Sequence, residues 1–591
     1  MEGETAGQKG SKATETRGTM KHIWKIQNPD ANLVQSLSQD LRITPILSTA
    51  LVNRGFGDAA SAGAFLHPKL SSLAPPELIP GMDSAVKRLL QARHEGQKVV
   101  VFGDYDVDGV SSTTLLMDAL GSLGWNIAGY LPDRVDDGYG LTENGIANCL
   151  SQHQPKCLIA ADCGSTSHGI INQLQSDGID VIVLDHHQIS DPPPPACALV
   201  NPQHIKGNGP DFTELCAAGL AFKLVHALLK AGRHDGVAGF QEYDIRHTLD
   251  LVALGTIADL VPLVQENRIL ASKGLLQISH SERPGIQALI RAADVKLPAD
   301  SFAVGFQLGP RLNAAGRLDS AMDALDLLCA TDTSTAEELA GKLDRRNRDR
   351  QRIQQEITQQ VLAELETQFD PEQDYAIVRG NSGWNIGVVG IVASKVQKDY
   401  YRPAFIFGGS PDGFRGSGRS IEGFDLAATL RDCSDHYIKA GGHAMAAGAS
   451  LGPDQLEGFR KCLNTLARDQ LAGSQLLPTL NLDASFPLSG LTFQAVQSLE
   501  QLQPTGRGNR SVQIAVPELE MDAEIRWMGK DKQHAKLSVS DGTQSAEAIY
   551  WNAAGKPMPT GRFDLAVEPS INTWRGRRTL QLKILDWRPT R

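Results

Sequence analysis

Short, unbroken apolar runs alternate with stretches of helical periodicity through the first large region of the chain. Val99–Phe102, Cys157–Ala160 and Val181–Leu184 are each four apolar residues long, too short for helices and without an internal polar position. Segments with helix-compatible spacing, such as Ser111–Leu123, lie between them. This alternation predicts a parallel sheet covered on both faces. Upstream, Ile23 to about Leu78 is mostly helical in its spacing and closes at Pro75-Pro76. Thr335–Leu365 is highly charged, lacks proline and carries Glu338 three residues after Thr335, the spacing of a capping box. It predicts a long exposed helix connecting two lobes. A second α/β region follows from about Tyr375 to Gln470. Beyond Pro478 a two-residue alternation takes over, as in Ala535–Val539 and Phe563–Val567, and predicts a compact β-barrel of roughly 100 residues.

The expected division is therefore a disordered tail over 1–20, a helical region over 21–78, an α/β domain over 79–330, a connector helix over 331–370, a second α/β lobe over 371–474 and a barrel over 475–591. A chain of 591 residues is too long for one hydrophobic core, which agrees with several domains. No apolar run approaches the roughly 20 residues of a membrane span, and the first twenty residues lack the apolar core of a secretory signal. Eight cysteines without a Cys-x-x-Cys pair argue against a zinc module and a disulfide framework, so a reducing cytoplasm is expected. The net charge of −11 speaks against coating nucleic acid by bulk charge, although a local basic groove is compatible with it.

The candidate chemistry begins where the first apolar run ends, at Gly103-Asp104-Tyr105-Asp106-Val107-Asp108-Gly109. Carboxylates at alternating positions fall on one side of an extended chain, and three so close repel unless a cation neutralises them. A divalent metal is implied. An EF-hand loop opens on the same string, but its twelfth position would be Leu115 instead of glutamate, and a strand precedes it instead of a helix. Asp162 follows the second run and Asp185-His186-His187 the third. In a parallel sheet these carboxyl ends share one edge, so the three sets converge. Carboxylates mixed with imidazoles suit Mn²⁺ or Mg²⁺, and Cys163 has no thiol partner for zinc.

These residues resemble the DHH phosphoesterase superfamily, and within it the bacterial single-strand-specific exonucleases. The matching segments run in order from Gly103–Gly109 through Leu131-Pro132-Asp133-Arg134, Gly138–Leu141, Asp162–Gly164, Asp185–His187 and Asn201-Pro202 to Ala253–Leu263 and Gly309–Leu318. Ser417–Ser420 and Gly441–His443 mark the associated second, DHHA1-type lobe, and the C-terminal segment resembles an OB-fold.

The resemblance implies a centre of two Mn²⁺ or Mg²⁺ ions among Asp104, Asp106, Asp108, Asp162, His186, His187 and Asp259. It implies Asp106 and Asp162 on one ion and Asp108, His186 and Asp259 on the other, with Asp162 bridging. Asp104 is either a ligand or an anchor behind the ligands, and His187 either ligates or hydrogen-bonds the reacting phosphate. Arg134, Arg317 and Arg419, with Ser417, occupy phosphate-gripping positions; Arg311 and His443 are further members of the groove. The implied activity is 5′→3′ hydrolysis of single-stranded DNA to 5′-mononucleotides in recombination and repair. A single-strand-binding protein and a helicase are the implied partners of a monomeric enzyme. A DHH phosphodiesterase of short RNA oligonucleotides or cyclic dinucleotides is the alternative, disfavoured because such relatives lack the C-terminal barrel. A non-catalytic scaffold is disfavoured because the ligand set is entire. Two departures from the pattern stand out: Asn385 where relatives commonly carry histidine, and Pro504–Arg510 without the expected Phe and final Pro.

Overall fold

The computed structural model describes residues 22–133, 137–138, 140–204, 211–318, 320–574 and 576–590. Arg134, Tyr139 and the tail over 1–20 lie outside the described residues. The chain forms two compact units, one of Pro68–Gly473 with Pro504–Asn509, the other of Met1–His67, Ser474–Gln503 and Arg510–Arg591.

In the larger unit the apolar runs are the strands β1 (Lys98–Gly103), β3 (Cys157–Ala161) and β4 (Asp180–Leu184), with β2 (Asn126–Tyr130) and β5 (Ala198–Val200) completing an all-parallel sheet of order β2-β1-β3-β4-β5. Unbroken apolar strands arise because both faces are buried. Val99, Val101, Ile159 and Ile182 join one core, whereas Val100, Phe102, Leu158 and Val181 join another on the opposite face. The chain leaves β1 for β2 on one side, then crosses to β3 on the other. The crevice at the carboxyl ends of β1 and β3 is thus the switch point of the sheet, where ligands bind in folds of this kind.

The helix after β1 differs from the reading of its periodicity. It is α1, Val107–Ser122, and starts inside the acidic motif instead of at Ser111. Asp106 is its cap, accepting from the backbone N–H of Asp108 at 2.9 Å and of Gly109 at 3.2 Å. The three aspartates are therefore not spread along an extended chain; the last already sits in a helical turn. Three further helices bear on the site: α2 (Ala217–His234), α3 (Leu249–Ala258) and α4 (Gly309–Leu318). The connector is α5, Thr333–Gln368, and its cap is Asp332, which accepts from Thr335 N at 2.9 Å, so Thr335 is not the capping residue. The second lobe carries a five-stranded sheet formed by Ile377–Asn381, Ala404–Ser410, Gly413–Arg419, Lys439–His443 and Ala446–Leu451. Against the expectation from cysteine spacing, one disulfide joins Cys433 to Cys462, 29 residues apart, where two helices of this lobe come side by side.

In the smaller unit Ile23–Ile26 is a strand, not part of a helix, because it pairs in parallel with Thr479–Leu482. The helices that follow it share one core with the C-terminal strands: Leu37, Ile46 and Leu51 pack with Val496, Ile514 and Phe563. Seven strands make up its sheet, and a pairing of Glu520 and Met521 with Ser540 and Val539 joins the two ends of a five-strand run. No helix among the described residues is long and apolar enough to cross a membrane.

Candidate metal centre

Backbone pairing continues one residue past each strand. Asp104 N donates to Ala161 O at 3.2 Å, Asp162 N to Leu184 O at 3.0 Å and Asp185 N to Val200 O at 3.2 Å. The aspartates that end β1, β3 and β4 are therefore held in register along one sheet edge. Asp162 takes a left-handed φ of 64°, and so does Leu260, next to Asp259, at 60°. Such angles are uncommon outside glycine, and their position beside ligand-type side chains matches strain stored at a working site.

Three groups of ligand atoms, each within 4.8 Å of one another, share residues: Asp104, Asp106 and Asp162; Asp108, His186 and Asp259; and Asp162, His186 and His187. All seven residues singled out in the sequence are thus brought together. At their centre, His186 Nε2 lies 3.3 Å from Asp162 Oδ1, 3.6 Å from Asp259 Oδ2 and 3.9 Å from Asp108 Oδ2. The Asp162 and His186 atoms are buried and make no hydrogen bond. Buried polar atoms left unsatisfied are costly, and a cation at their meeting point removes that cost. The mix of carboxylate oxygens with imidazole fits Mn²⁺ or Mg²⁺.

Electrostatics agrees. Burial, then repulsion from Asp108, Asp106 and Asp104, pushes the Asp162 carboxyl well above its ordinary range. Burial, reinforced by Asp108 and Asp106, raises Asp259 to about 8. Asp108 also rises, mainly through burial, although its carboxylate accepts from Ala217 N at 2.7 Å and Ala218 N at 2.9 Å at the start of α2. Those N–H groups orient it. Gly255 permits this approach: a Cβ there would sit 2.4 Å from Asp108 Oδ1. Burial lowers His186, which keeps its imidazole neutral, as a ligand must be. Cys163 is buried with its thiol pushed up by burial, and its Sγ belongs to none of the three ligand groups.

Asp185, absent from the ligand set read in the sequence, positions the two histidines. Its Oδ1 accepts from His187 Nδ1 at 2.8 Å and His186 N at 2.8 Å, and its Oδ2 from Ser165 N at 3.1 Å. Burial opposes the charge on His187, but this bond wins and raises its pKa to about 9. Fully buried Asn201 locks the same loop, donating to His187 O at 2.9 Å and Ser165 Oγ at 2.8 Å. The Asn-Pro pair after an apolar run was the available signal for it.

The phosphate-gripping candidates separate into two groups. Arg419 Nη1 donates to Ser417 Oγ and Gly418 O, both at 2.8 Å, and pairs with no carboxylate among the described residues. Burial lowers its pKa without compensation, which an anion would supply. The helix Val389–Tyr400 begins beside it: a Cβ on Gly390, in its first turn, would lie 3.1 Å from Ser417 Oγ and 3.5 Å from Arg419 Nη2. A helix N-terminus, a hydroxyl and an unpaired guanidinium together make an anion cradle. His443 is exposed and, like Arg419, registers against Ala446, so both face the same side of the sheet. Arg317 Nη1 donates to Gly387 O at 3.1 Å. Arg311, in contrast, is committed to Asp344 at 2.9–3.0 Å and to Gln307 O at 2.7 Å. On α5, Arg346 pairs with Asp323, Arg348 with Asp344 and Arg352 with Glu356.

Comparison with known proteins gives matches over most of the chain. Residues 98–256 match the DHH family N-terminal domain, 372–469 the DHHA1 domain and 482–586 the RecJ OB domain. The single-stranded-DNA-specific exonuclease RecJ of Bacillus subtilis is 35% identical over 572 residues, covering 96% of this chain and 71% of that protein. The crystal structure of Thermus thermophilus RecJ with Mn²⁺ superposes with a TM-score of 0.82 at 28% identity, over 96% of this chain and 80% of that one. Its Mg²⁺ complex superposes at 0.75 with 26% identity, over 96% of this chain and 79% of that one.

Proposed function

The chain belongs to the RecJ family of single-stranded-DNA-specific exonucleases, and from that premise we propose a division of labour among its residues. It is a metal-dependent nuclease of single-stranded DNA. Asp104, Asp106 and Asp162 would hold one Mn²⁺ or Mg²⁺, and Asp108, His186 and Asp259 the other, with Asp162 shared. The single observation that carries this is the convergence of the buried, unsatisfied Asp162 Oδ1 and His186 Nε2. When bound, such a pair supplies hydroxide near neutral pH and neutralises charge on the phosphate oxygens.

The protein's own groups do the rest. Asp106 and Asp108 are pre-aligned by the helix starts they cap, so little reorganisation is needed on binding. His187, its side chain 45% exposed against 13% for His186, is turned by Asp185 to offer an N–H to the reacting phosphate instead of serving as a deep ligand. Ser417, Arg419 and the start of the Val389–Tyr400 helix take a terminal phosphate, with Arg317 and His443 nearby in the groove; Arg311 shapes that groove through Asp344. Capture of a 5′-phosphate there would set 5′→3′ polarity, with 5′-mononucleotides as products. Arg134 keeps its place in the reading by resemblance.

We further read the chain as a cytoplasmic monomer serving recombination and repair beside a single-strand-binding protein and a helicase, with domains at 79–330, 371–474 and 475–591. The test is hydrolysis of single-stranded against duplex DNA with Mn²⁺, Mg²⁺ or EDTA. Release of mononucleotides from the single strand only, lost with EDTA, is expected; turnover confined to dinucleotides would favour a short-oligonucleotide phosphodiesterase.

A further inference from the structure

Away from the metal ligands, two phenyl rings stand in water on one short segment. Phe306 is 70% exposed, the most exposed large apolar side chain among the described residues, and Phe302 is 59% exposed. They stack on each other with centroids 4.9 Å apart and planes inclined by 22°. Isolated surface apolar residues need no explanation, but a stacked aromatic pair is a flat apolar patch held in a fixed orientation.

The segment that presents them is anchored. Ala303–Leu308 is a π-helical turn, a rare geometry concentrated at functional sites. Its Ala303, Val304 and Leu308 are buried, Asp300 Oδ1 accepts from Ala303 N at 2.8 Å, and Ser301 Oγ donates to Thr505 O at 2.5 Å. The backbone is fixed while the rings face out.

Its neighbours tie the pair to the reaction. A Cβ on Gly305 would lie 4.0 Å from Ile257 Cγ2, and one on Gly309 3.5 Å from Ala258 Cβ, so the turn packs on the last residues of α3, immediately before Asp259. On the other side Gln307 O accepts from Arg311 Nη1, and α4 continues to Arg317. The turn that carries the rings therefore runs from the end of α3, next to a metal-ligand candidate, into the helix that carries Arg311 and Arg317.

We propose that Phe302 and Phe306 are a stacking platform for unpaired nucleobases of the strand on its way to the metal centre. Every base has a π-face, so such a platform is indifferent to sequence, and a paired base in a stacked duplex has no face to give it. The proposal rests on the single-strand exonuclease reading. A protein side chain docking on the same rings is the competing occupant, and the metal-centre continuity favours DNA.

The experiment uses the full chain with Mn²⁺ and two 5′-phosphorylated strands of equal length, one of thymidines and one of abasic residues. The double variant Phe302→Ala, Phe306→Ala should raise KM on the thymidine strand about tenfold, the effect of losing base stacking, with kcat unchanged. On the abasic strand variant and wild type should have the same KM. Phe302→Trp with Phe306→Trp should restore the thymidine KM, which separates stacking from misfolding. An unchanged KM on thymidines, an equal loss on both strands, or a fall in kcat alone overturns the platform. A wild-type protein that degrades neither strand overturns the exonuclease reading instead.

Discussion

Asp185 Oδ1 lies 2.8 Å from His187 Nδ1, and the same carboxylate carries the backbone of both histidines. Partners of this kind fix tautomer and ring orientation, and their loss typically costs 10- to 100-fold in activity or metal affinity, about the loss expected here. Asp185→Asn should accordingly lower kcat by about that factor while the fold persists. Adding His187→Ala to Asp185→Asn should cost little more, because the two act as one unit. Steady-state kinetics of the four forms checks this; additive losses would separate the residues.

Gly255→Ala should disturb the centre from behind. The added methyl would lie 2.4 Å from Asp108 Oδ1 and 2.6 Å from the Ala218 Cβ, in a region where nothing is exposed. Overpacking of this kind costs about 1–3 kcal/mol and forces the carboxylate or α2 to move. The expected outcome is a lower Tm together with weaker Mn²⁺ binding, read by thermal unfolding and calorimetry.

The strands and the edge they share were legible because burial on both faces leaves an unbroken apolar run, and Asp162 and Asp185 follow such runs directly. The geometry of Asp104–Asp108 was not: whether Asp106 continues the strand or caps a helix depends on the backbone N–H groups of Asp108 and Gly109, which periodicity does not see. Asp259 ends a helix that is buried from Leu249 to Ile257, and only the resemblance singled it out. The pairing of Ile23–Ile26 with Thr479–Leu482 and the Cys433–Cys462 bond are long-range or non-motif contacts with no local signature. The commitment of Arg311 to Asp344 likewise joins separate helices, so an arginine in the sequence could not be told from a phosphate ligand.

Arg311→Ala and Arg419→Ala should consequently differ. Removing Arg311 leaves the largely buried Asp344 with the exposed Arg348 as its one ion-pair partner among the described residues, so stability should fall by about 1–3 kcal/mol in denaturant unfolding. Removing Arg419 deletes no ion pair and should leave stability unchanged, while abolishing any preference for a 5′-phosphorylated over a 5′-hydroxyl strand. An Arg419→Ala enzyme that retains the preference would move the end-binding site elsewhere.

A pH effect follows from a cluster that contains none of the metal-ligand candidates. His247 Nε2 lies 3.2 Å from Asp118, which also accepts from Arg283 at 2.9 Å, with Tyr243, Asp244, Arg246 and Asp250 around them. The bond to Asp118 raises the His247 pKa against the pull of burial. Burial pushes Asp118 up, but His247 and Arg283 outweigh it and the net shift is down. The histidine's contribution is full below about pH 6.5 and is lost as pH rises through its raised folded value. That of Asp118 is present above about pH 3.9 and is lost as pH falls through its lowered folded value. His247→Gln should therefore reduce Tm most near pH 5–6 and hardly at all near pH 9. Because the pair is partly exposed, the loss should not exceed about 1 kcal/mol.

The most direct test follows the label on a 5′-³²P single strand during its first turnovers with Mn²⁺, using wild-type and Asp162→Ala protein. Clustered carboxylates that hold metal at a 5′-end predict label released at once as a mononucleotide, with none from the variant or in EDTA. Label retained on progressively shorter strands, or release that survives EDTA or the loss of Asp162, would contradict the account.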